Sequence, residues 1–275
     1  MYIKKQEIQK KQEKFRKKHK VGLCLSGGGT RGFAYIGAFK AFEEFGIKFD
    51  AVAGCSIGSV LGAVYASGMS VEEMCDKTKE IKTRNFRSQK LGFLPSKMER
   101  LAETINQLLP VKRIEELKIP FSAVAVDVKT GKEVHFMNGN LVSVITASCA
   151  IPGVFVPVKY KGMTLVDGGV LNNVPADILK EMECDYIVTL DCNSTRGEGT
   201  KSSNIVSQYI ATIGIMTANN SQKGHALSDV LICPNMKNFS SLKIVDKEEM
   251  IEQGYIATKD KIPEILQLFS GKLKK

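Results

Sequence analysis

The stretch Val21-Gly22-Leu23-Cys24-Leu25-Ser26-Gly27-Gly28-Gly29-Thr30-Arg31-Gly32 decides the fold class. Its first five residues are an apolar run of the length of a buried strand, and the glycines after them break it into a loop. Phe33, Ile36, Ala38, Phe39 and Phe42 then recur at helical spacing as far as Gly46, a natural helix stop. The pattern repeats at once: a short apolar strand over 49–53, the turn Gly54-Cys55-Ser56-Ile57-Gly58, and a helical run through Val60, Leu61, Val64 and Tyr65 to Gly68. Strand, turn and helix in that alternation predict an α/β fold, a three-layer sandwich with a central, mostly parallel sheet and helices on both faces.

Downstream signals extend the pattern. Ser70 with Glu73 and Ser96 with Glu99 read as capping boxes, opening helices to about Ile81 and to Leu109. The polar, basic stretch 84–90 between them reads as a flap. Residues 121–128 and 133–137 predict a hairpin, Asn140 caps a helix that Pro152 ends, and 154–160 with 163–166 predict a second hairpin. Pro175 opens a helix, 186–190 is a buried strand, 203–222 is helical and 230–233 is a last strand. The tail 248–269 is helical with an expected break at Pro263. No repeat and no interdomain linker is visible, so 21–275 reads as one domain behind a basic segment, 1–20.

The net charge of +10 is concentrated there. Residues 1–20 carry nine Lys or Arg against Glu7 and Glu13, which is +7 of the total. The body is then close to neutral, which argues against a nucleic-acid-binding groove. The basic segment has few large apolar residues, Ile8 and Phe15 among them. A solvated, frayed helix is the plain expectation, and peripheral contact with an anionic membrane is the sharper one, at ~1 kcal/mol per basic side chain near the surface. No signal peptide or membrane-spanning run is visible, and the seven cysteines lack any C-x-x-C pair. The chain reads as cytoplasmic with reduced thiols. His19, His135 and His225 are too dispersed to suggest a metal site.

Gly54-x-Ser56-x-Gly58 has the spacing of a nucleophile elbow, in which small flanking residues permit a sharp strand-to-helix turn that presents the serine hydroxyl. About one chain in seven of this composition carries the pattern by chance, so the flanking strand and helix are what make Ser56 a candidate nucleophile. A serine needs a base and donors for the oxyanion it creates. The loop Gly27-Gly28-Gly29, with Arg31 nearby, stands between a strand and a helix, where backbone N–H groups are unpaired. Gly27-x-Gly29-x-x-Gly32 also matches a dinucleotide-binding pattern, but no acidic residue ends the second strand, where Gly54 and Ser56 stand instead. For the base, the residues leave two candidates. Asp167 follows an apolar strand and precedes Gly168-Gly169, and Asp191 with His225 would complete a triad in Ser-Asp-His order.

Taken together, the glycine loop, the elbow, the segment Ala147-Ser148-Cys149-Ala150-Ile151-Pro152-Gly153-Val154-Phe155 and Asp167-Gly168-Gly169 resemble, in order and spacing, the motifs of patatin-like phospholipases. The resemblance runs from about Val21 to Leu190 or beyond. It implies a Ser56–Asp167 dyad that makes His225 dispensable, an oxyanion hole from Gly27, Gly28 and Gly29 with Arg31, acyl esters of lipids as substrates, and no need for calcium or another cofactor. With no separate membrane or nucleotide-sensing domain of the kind some relatives carry visible in the sequence, the chain reads as a short, single-domain, bacterial-type member. The competing expectations are a patatin-fold binding or regulatory protein that hydrolyses nothing and, behind it, a nucleotide-binding α/β protein.

Overall fold

In the computed structural model, which describes residues 2–79, 81, 98–194 and 205–270, the apolar run Val21–Leu25 becomes β1, buried along its whole length. It pairs in parallel with β2 (Ala51–Cys55) on one side and with β7 (Tyr186–Leu190) on the other. β3 (Phe121–Asp127) continues the sheet beyond β2, and β8 (Val230–Ile232) continues it beyond β7, both in parallel. Two strands run against this direction, β4 (Lys132–Phe136) and β6 (Met163–Asp167), both on β3, and β5 (Val158–Tyr160), antiparallel to β6, returns to it at the edge. The eight strands form one sheet, ordered β5-β6-β3-β2-β1-β7-β8 with β4 also on β3.

Alternation along β1 explains the layers. Val21, Leu23 and Leu25 enter the larger core, with α2 (Phe33–Phe45), α3 (Ile57–Ala66), α6 (Leu141–Ser148) and α9 (Lys247–Phe269). Cys24 enters the smaller core on the opposite face, against α7 (Ala176–Glu181), and α8 (Ile205–Leu227) packs on α7. α4 (Val71–Lys79) and α5 (Glu99–Leu108) join the larger layer. The expected three-layer sandwich with a mostly parallel sheet is therefore present, with one thick and one thin helical layer.

Several local expectations change. The second strand runs to Cys55 rather than stopping at Ala53, because β3 pairs with it through Cys55↔Val124. Ser70 and Glu73 do form a reciprocal capping box: the Ser70 N–H donates to the Glu73 carboxylate at 2.9 Å, and the Glu73 N–H to Ser70 Oγ at 3.2 Å. α5, by contrast, opens at Glu99 with Met98 as its N-cap, so Glu99 is its first residue; Ser96 and the flap expected over 84–90 lie outside the described residues. The Asn140 cap is present, its Oδ1 accepting from the Ser143 N–H at 2.9 Å, but α6 ends at Ser148, ahead of Pro152. α9 runs unbroken through Pro263, which stands on the exposed side, where water can take the carbonyl that proline leaves without a donor.

The basic segment is not a frayed helix. α1 (Tyr2–Arg16) packs against α2 and α9, with Ile8 and Gln12 buried. Gln12 donates to the Lys48 carbonyl at 2.7 Å, Arg16 Nε donates to Asp50 at 2.8 Å, and the Phe15 ring packs at a tilt against Tyr186 and Phe269. These partners, together with Asp50 holding the Val21 N–H, place the end of α1 at the N-terminal edge of β1, β2 and β7.

Candidate active site

Ser56 lies at the opposite edge, at the C-terminal end of β2, and its backbone shows why the glycines around it are required. Its φ of 51° and ψ of −124° form a conformation that costs a non-glycine residue of order 1–3 kcal/mol. A Cβ on Gly54 would run into the Gly58 carbonyl, and one on Gly58 would run into the carbonyls of Leu25 and Ser26. The turn is thus tight enough to set the serine at the head of α3, whose first-turn amides favour negative charge on its oxygen. Its own N–H is already engaged, donating to Ser148 Oγ at 2.9 Å.

Asp167 ends β6 and caps the short 3-10 turn Gly168–Val170. Oδ1 is fixed by the Gly169 N–H at 2.8 Å and by the Cys55 thiol at 3.7 Å. Oδ2 is buried and, among the described residues, has no hydrogen-bond partner. A buried carboxylate with one oxygen held and the other free is a base awaiting a proton. Burial raises its pKa to about 6, and the nearby Ser56 hydroxyl opposes part of that rise. The Ser56 contact is looser than a full hydrogen bond, since Oδ2 stays unpaired.

The glycine loop divides in its roles. The Gly27 N–H donates to the Asn173 carbonyl at 3.1 Å, so Gly27 is not a free oxyanion donor as the sequence suggested. The amides of Gly28 and Gly29 have no partner among the described residues, and both line the same pocket as Ser56 and Asp167. Arg31 also departs from expectation. Its Nε donates to the Phe239 carbonyl at 2.9 Å and its Nη1 to Asn193 Oδ1 at 3.0 Å, so it fastens the glycine loop to the 239–243 loop and does not line the pocket. Thr30 reinforces the same junction through the Ser240 carbonyl at 2.6 Å.

The rival pair Asp191 and His225 does meet, with 2.8 Å between His225 Nε2 and Asp191 Oδ2. It serves a different serine. Asp191 Oδ1 accepts from Ser26 Oγ at 2.7 Å and from the Asn193 N–H at 2.8 Å. The carboxylate, rather than the imidazole, stands next to the serine, which is the wrong order for a triad. Neither residue lines the pocket of Ser56, and their contacts brace the residue before Gly27.

Two cavities meet at Ser56. The larger, about 1060 Å³ with its mouth, is lined almost wholly by apolar side chains, including Phe33, Val60, Val64, Met74, Leu101 and Ile105. The smaller, about 700 Å³ with its mouth, is the more polar and includes Asp167, Gly28, Asn173, Asn193 and Thr217. Ser56, Gly29, Ile151, Val154, Ser241 and Leu242 belong to both. Among the described residues no cluster of His, Cys, Asp or Glu could hold a metal ion, and no helix is long and apolar enough to cross a membrane.

The family model described as patatin-like phospholipase matches residues 23–180, more than half of the chain, from β1 through the helix after the Asp167 turn. The chain belongs to the patatin-like phospholipase family. It is 34% identical over 182 residues to an NTE family protein of Mycobacterium bovis, which covers 64% of this chain and 50% of the relative. It is 31% identical over 188 residues to patatin-like phospholipase domain-containing protein 6 of Homo sapiens, covering 63% of this chain and 13% of the relative. A lysophospholipase of Cryptococcus neoformans is 33% identical over 188 residues, covering 63% of this chain and 11% of the relative. The chain thus spans half or less of the length of these curated relatives. Among solved structures, VipD from Legionella pneumophila superposes with a TM-score of 0.59 at 15% identity, covering 92% of this chain and 67% of the other. Human GIVD cytosolic phospholipase A2 superposes with a TM-score of 0.56 at 12% identity, covering 98% and 63%. Both establish a shared fold.

Within this patatin-like frame, the segment 147–155 has a role that its motif alone did not disclose. Ser148 Oγ holds the Ser56 N–H, and the Ala150 carbonyl accepts the Asp167 N–H at 3.0 Å, so one short stretch ties down both residues. Asn173 was not legible in the sequence at all. Its backbone carbonyl takes up the Gly27 amide, and its side chain donates to Ser221 Oγ on α8 at 3.1 Å.

Proposed function

We propose that this chain is a serine lipid acyl hydrolase, of phospholipase A or lysophospholipase type, in which Ser56 and Asp167 act as a dyad without histidine. The observation that carries this reading is the Asp167 carboxylate: buried, held through Oδ1, unpaired at Oδ2 and beside a serine strained into an elbow. In the first half-reaction Ser56 Oγ attacks the ester carbonyl as its proton passes to Asp167. The carbonyl oxygen becomes an oxyanion facing the Gly28 and Gly29 amides, each such donor being worth ~2.7 to 4 kcal/mol. Collapse breaks the ester bond, the proton on Asp167 goes to the departing alcohol, and an acyl-serine is left. Water then attacks the acyl group by the same route, giving the fatty acid and free Ser56.

The apolar cavity would take the acyl chain, and the polar one the alcohol side of the ester. No step calls on a cation, so turnover is expected to persist in EDTA.

Labelling with a fluorophosphonate, alongside turnover of a short p-nitrophenyl ester, tests the reading. Wild type and His225→Ala should label and turn over, Ser56→Ala should do neither, and Asp167→Asn should lose turnover. A folded wild type that neither labels nor hydrolyses would favour a patatin-fold binding or regulatory protein instead.

A further inference from the structure

α8 is unlike the rest of the chain in its charge. From Ile205 to Gln222 it carries no Asp, Glu, Lys or Arg across eighteen residues, where a charged fraction of 25% would place about four. Its body-facing side is accounted for. Thr217 and Ile213 line the polar half of the site, Asn220 donates to the Val170 carbonyl at 2.6 Å, and Ser221 accepts from Asn173. The side turned away is uncharged, and among exposed Thr212, Ala218 and Asn219 it leaves two large apolar side chains bare, Ile215 at 68% and Met216 at 44% exposure. A solvated helix face normally carries charge, and large apolar side chains left bare on it mark a contact surface.

The position of this face identifies its occupant. Ile215 and Met216 stand between Gly214 and Thr217, both of which line the pocket holding Ser56 and Asp167. Two further bare apolar residues adjoin the same mouth along the chain: Leu171 follows Val170 of the pocket wall, and Val156 lies two residues after Val154. Val245, 57% exposed, lies just beyond Ser241 and Leu242, which line both cavities. Bare apolar side chains thus flank the mouth where the polar cavity meets the apolar one at Ser56, whereas the docked end of the basic helix α1 lies at the other edge of the sheet.

We infer that the outward face of α8 around Ile215 and Met216, with the apolar residues about the site mouth, seats this protein on a lipid surface, and that α1 does not. This rests on the lipid-hydrolase reading, because an acyl chain can pass from an aggregate into the cavity without crossing water only if the mouth itself meets that aggregate. Contact of this kind is hydrophobic, so it holds for uncharged lipid and survives salt, unlike attraction through a basic helix.

The test is co-flotation with vesicles of zwitterionic phosphatidylcholine in high salt, read beside hydrolysis of a soluble p-nitrophenyl ester. Both side chains are exposed, so Ile215→Asp with Met216→Asp should fold; Ile215→Ser alone serves as a milder second variant. The expected result is vesicle binding at least tenfold weaker in the double variant and reduced in the single one, with soluble-ester turnover within twofold of wild type and binding unchanged in Lys10→Glu/Lys11→Glu. Equal vesicle binding by wild type and double variant overturns the inference. So does binding lost in the lysine variant, or a wild type that binds no vesicles. A wild-type dimer that the double variant converts to a monomer also overturns it, assigning the face to a second copy of the chain. If wild type binds vesicles through this face yet hydrolyses no ester, the hydrolase reading fails and the surface stands.

Discussion

Cys55 and Asp167 are 112 residues apart in the chain, yet they take successive partners on β3, Val124 and Ala125. β4 occupies one edge of β3 over Ala123–Asp127, so β2 and β6 must share the other edge end to end. β2 covers its first half and β6 its second. Ser56, one residue beyond Cys55, therefore emerges where Asp167 arrives from the opposite direction. A strand that pairs in parallel with the strand leading to Ser56 and antiparallel with the strand ending at Asp167 is the ruler of this site.

The first prediction concerns Asp167→Asn. Loss of the proton acceptor should lower kcat for a soluble ester by at least about a hundredfold. The same change should stabilise the fold at neutral pH, because burial raises the Asp167 pKa from 3.8 to about 6. Between those values the native state holds more protons than the unfolded one, so wild-type stability falls as pH rises through the window. The gain for Asn is at most roughly 3 kcal/mol above pH 7 and vanishes below pH 4. Urea unfolding of both proteins at several pH values measures it.

The pH profile of wild-type turnover follows from the same carboxylate. Asp167 must be ionised to accept the Ser56 proton, so kcat/KM should fall on the acid side with a midpoint near 6. A midpoint near 4 would mean that burial does not control this group in solution.

Arg31 fastens two loops rather than touching the reacting atoms. Arg31→Ala removes donors to the Phe239 carbonyl and Asn193, and should cost about 1–3 kcal/mol of stability. Turnover should drop about tenfold as the Gly28 and Gly29 amides lose their fixed aim, and slower fluorophosphonate labelling should accompany the drop. Arg31→Lys should rescue little, since a single ammonium cannot span both acceptors. Thermal melts and labelling rates separate the two effects.

His135 lies between Glu133, at 3.2 Å, and Glu181, at 3.0 Å, and these partners raise its pKa to about 9. A raised histidine pKa stabilises fully below the unfolded value of 6.5, and that stabilisation is lost as pH climbs through 9. Solvent screening reduces it to about 1 kcal/mol. His135→Gln should thus be destabilising at pH 6 and nearly neutral at pH 10, with ester hydrolysis unaffected.

Much of this protein was legible along the chain, and the division has a physical cause. Strand, glycine turn and helix follow one another within a few residues, so local spacing and burial period were enough for β1, α2, β2 and α3, for the elbow at Ser56 and for the reciprocal cap of Ser70 and Glu73. The motifs also marked Asp167. Contacts between distant segments decided the rest. Whether the Gly27 amide is free depends on the carbonyl of Asn173, and whether Arg31 faces the pocket depends on Phe239 and Asn193. Asp191 and His225 do meet, as their types suggested, but Ser26 took the place that a triad reserves for the nucleophile. The basic head became a docked helix because Ile8, Gln12 and Arg16 found partners on the body, which charge counting cannot register. Sequence period reports which side of an element is apolar; only the packed sheet determines which polar groups are already satisfied and which, such as Oδ2 of Asp167, are left without a partner among the described residues.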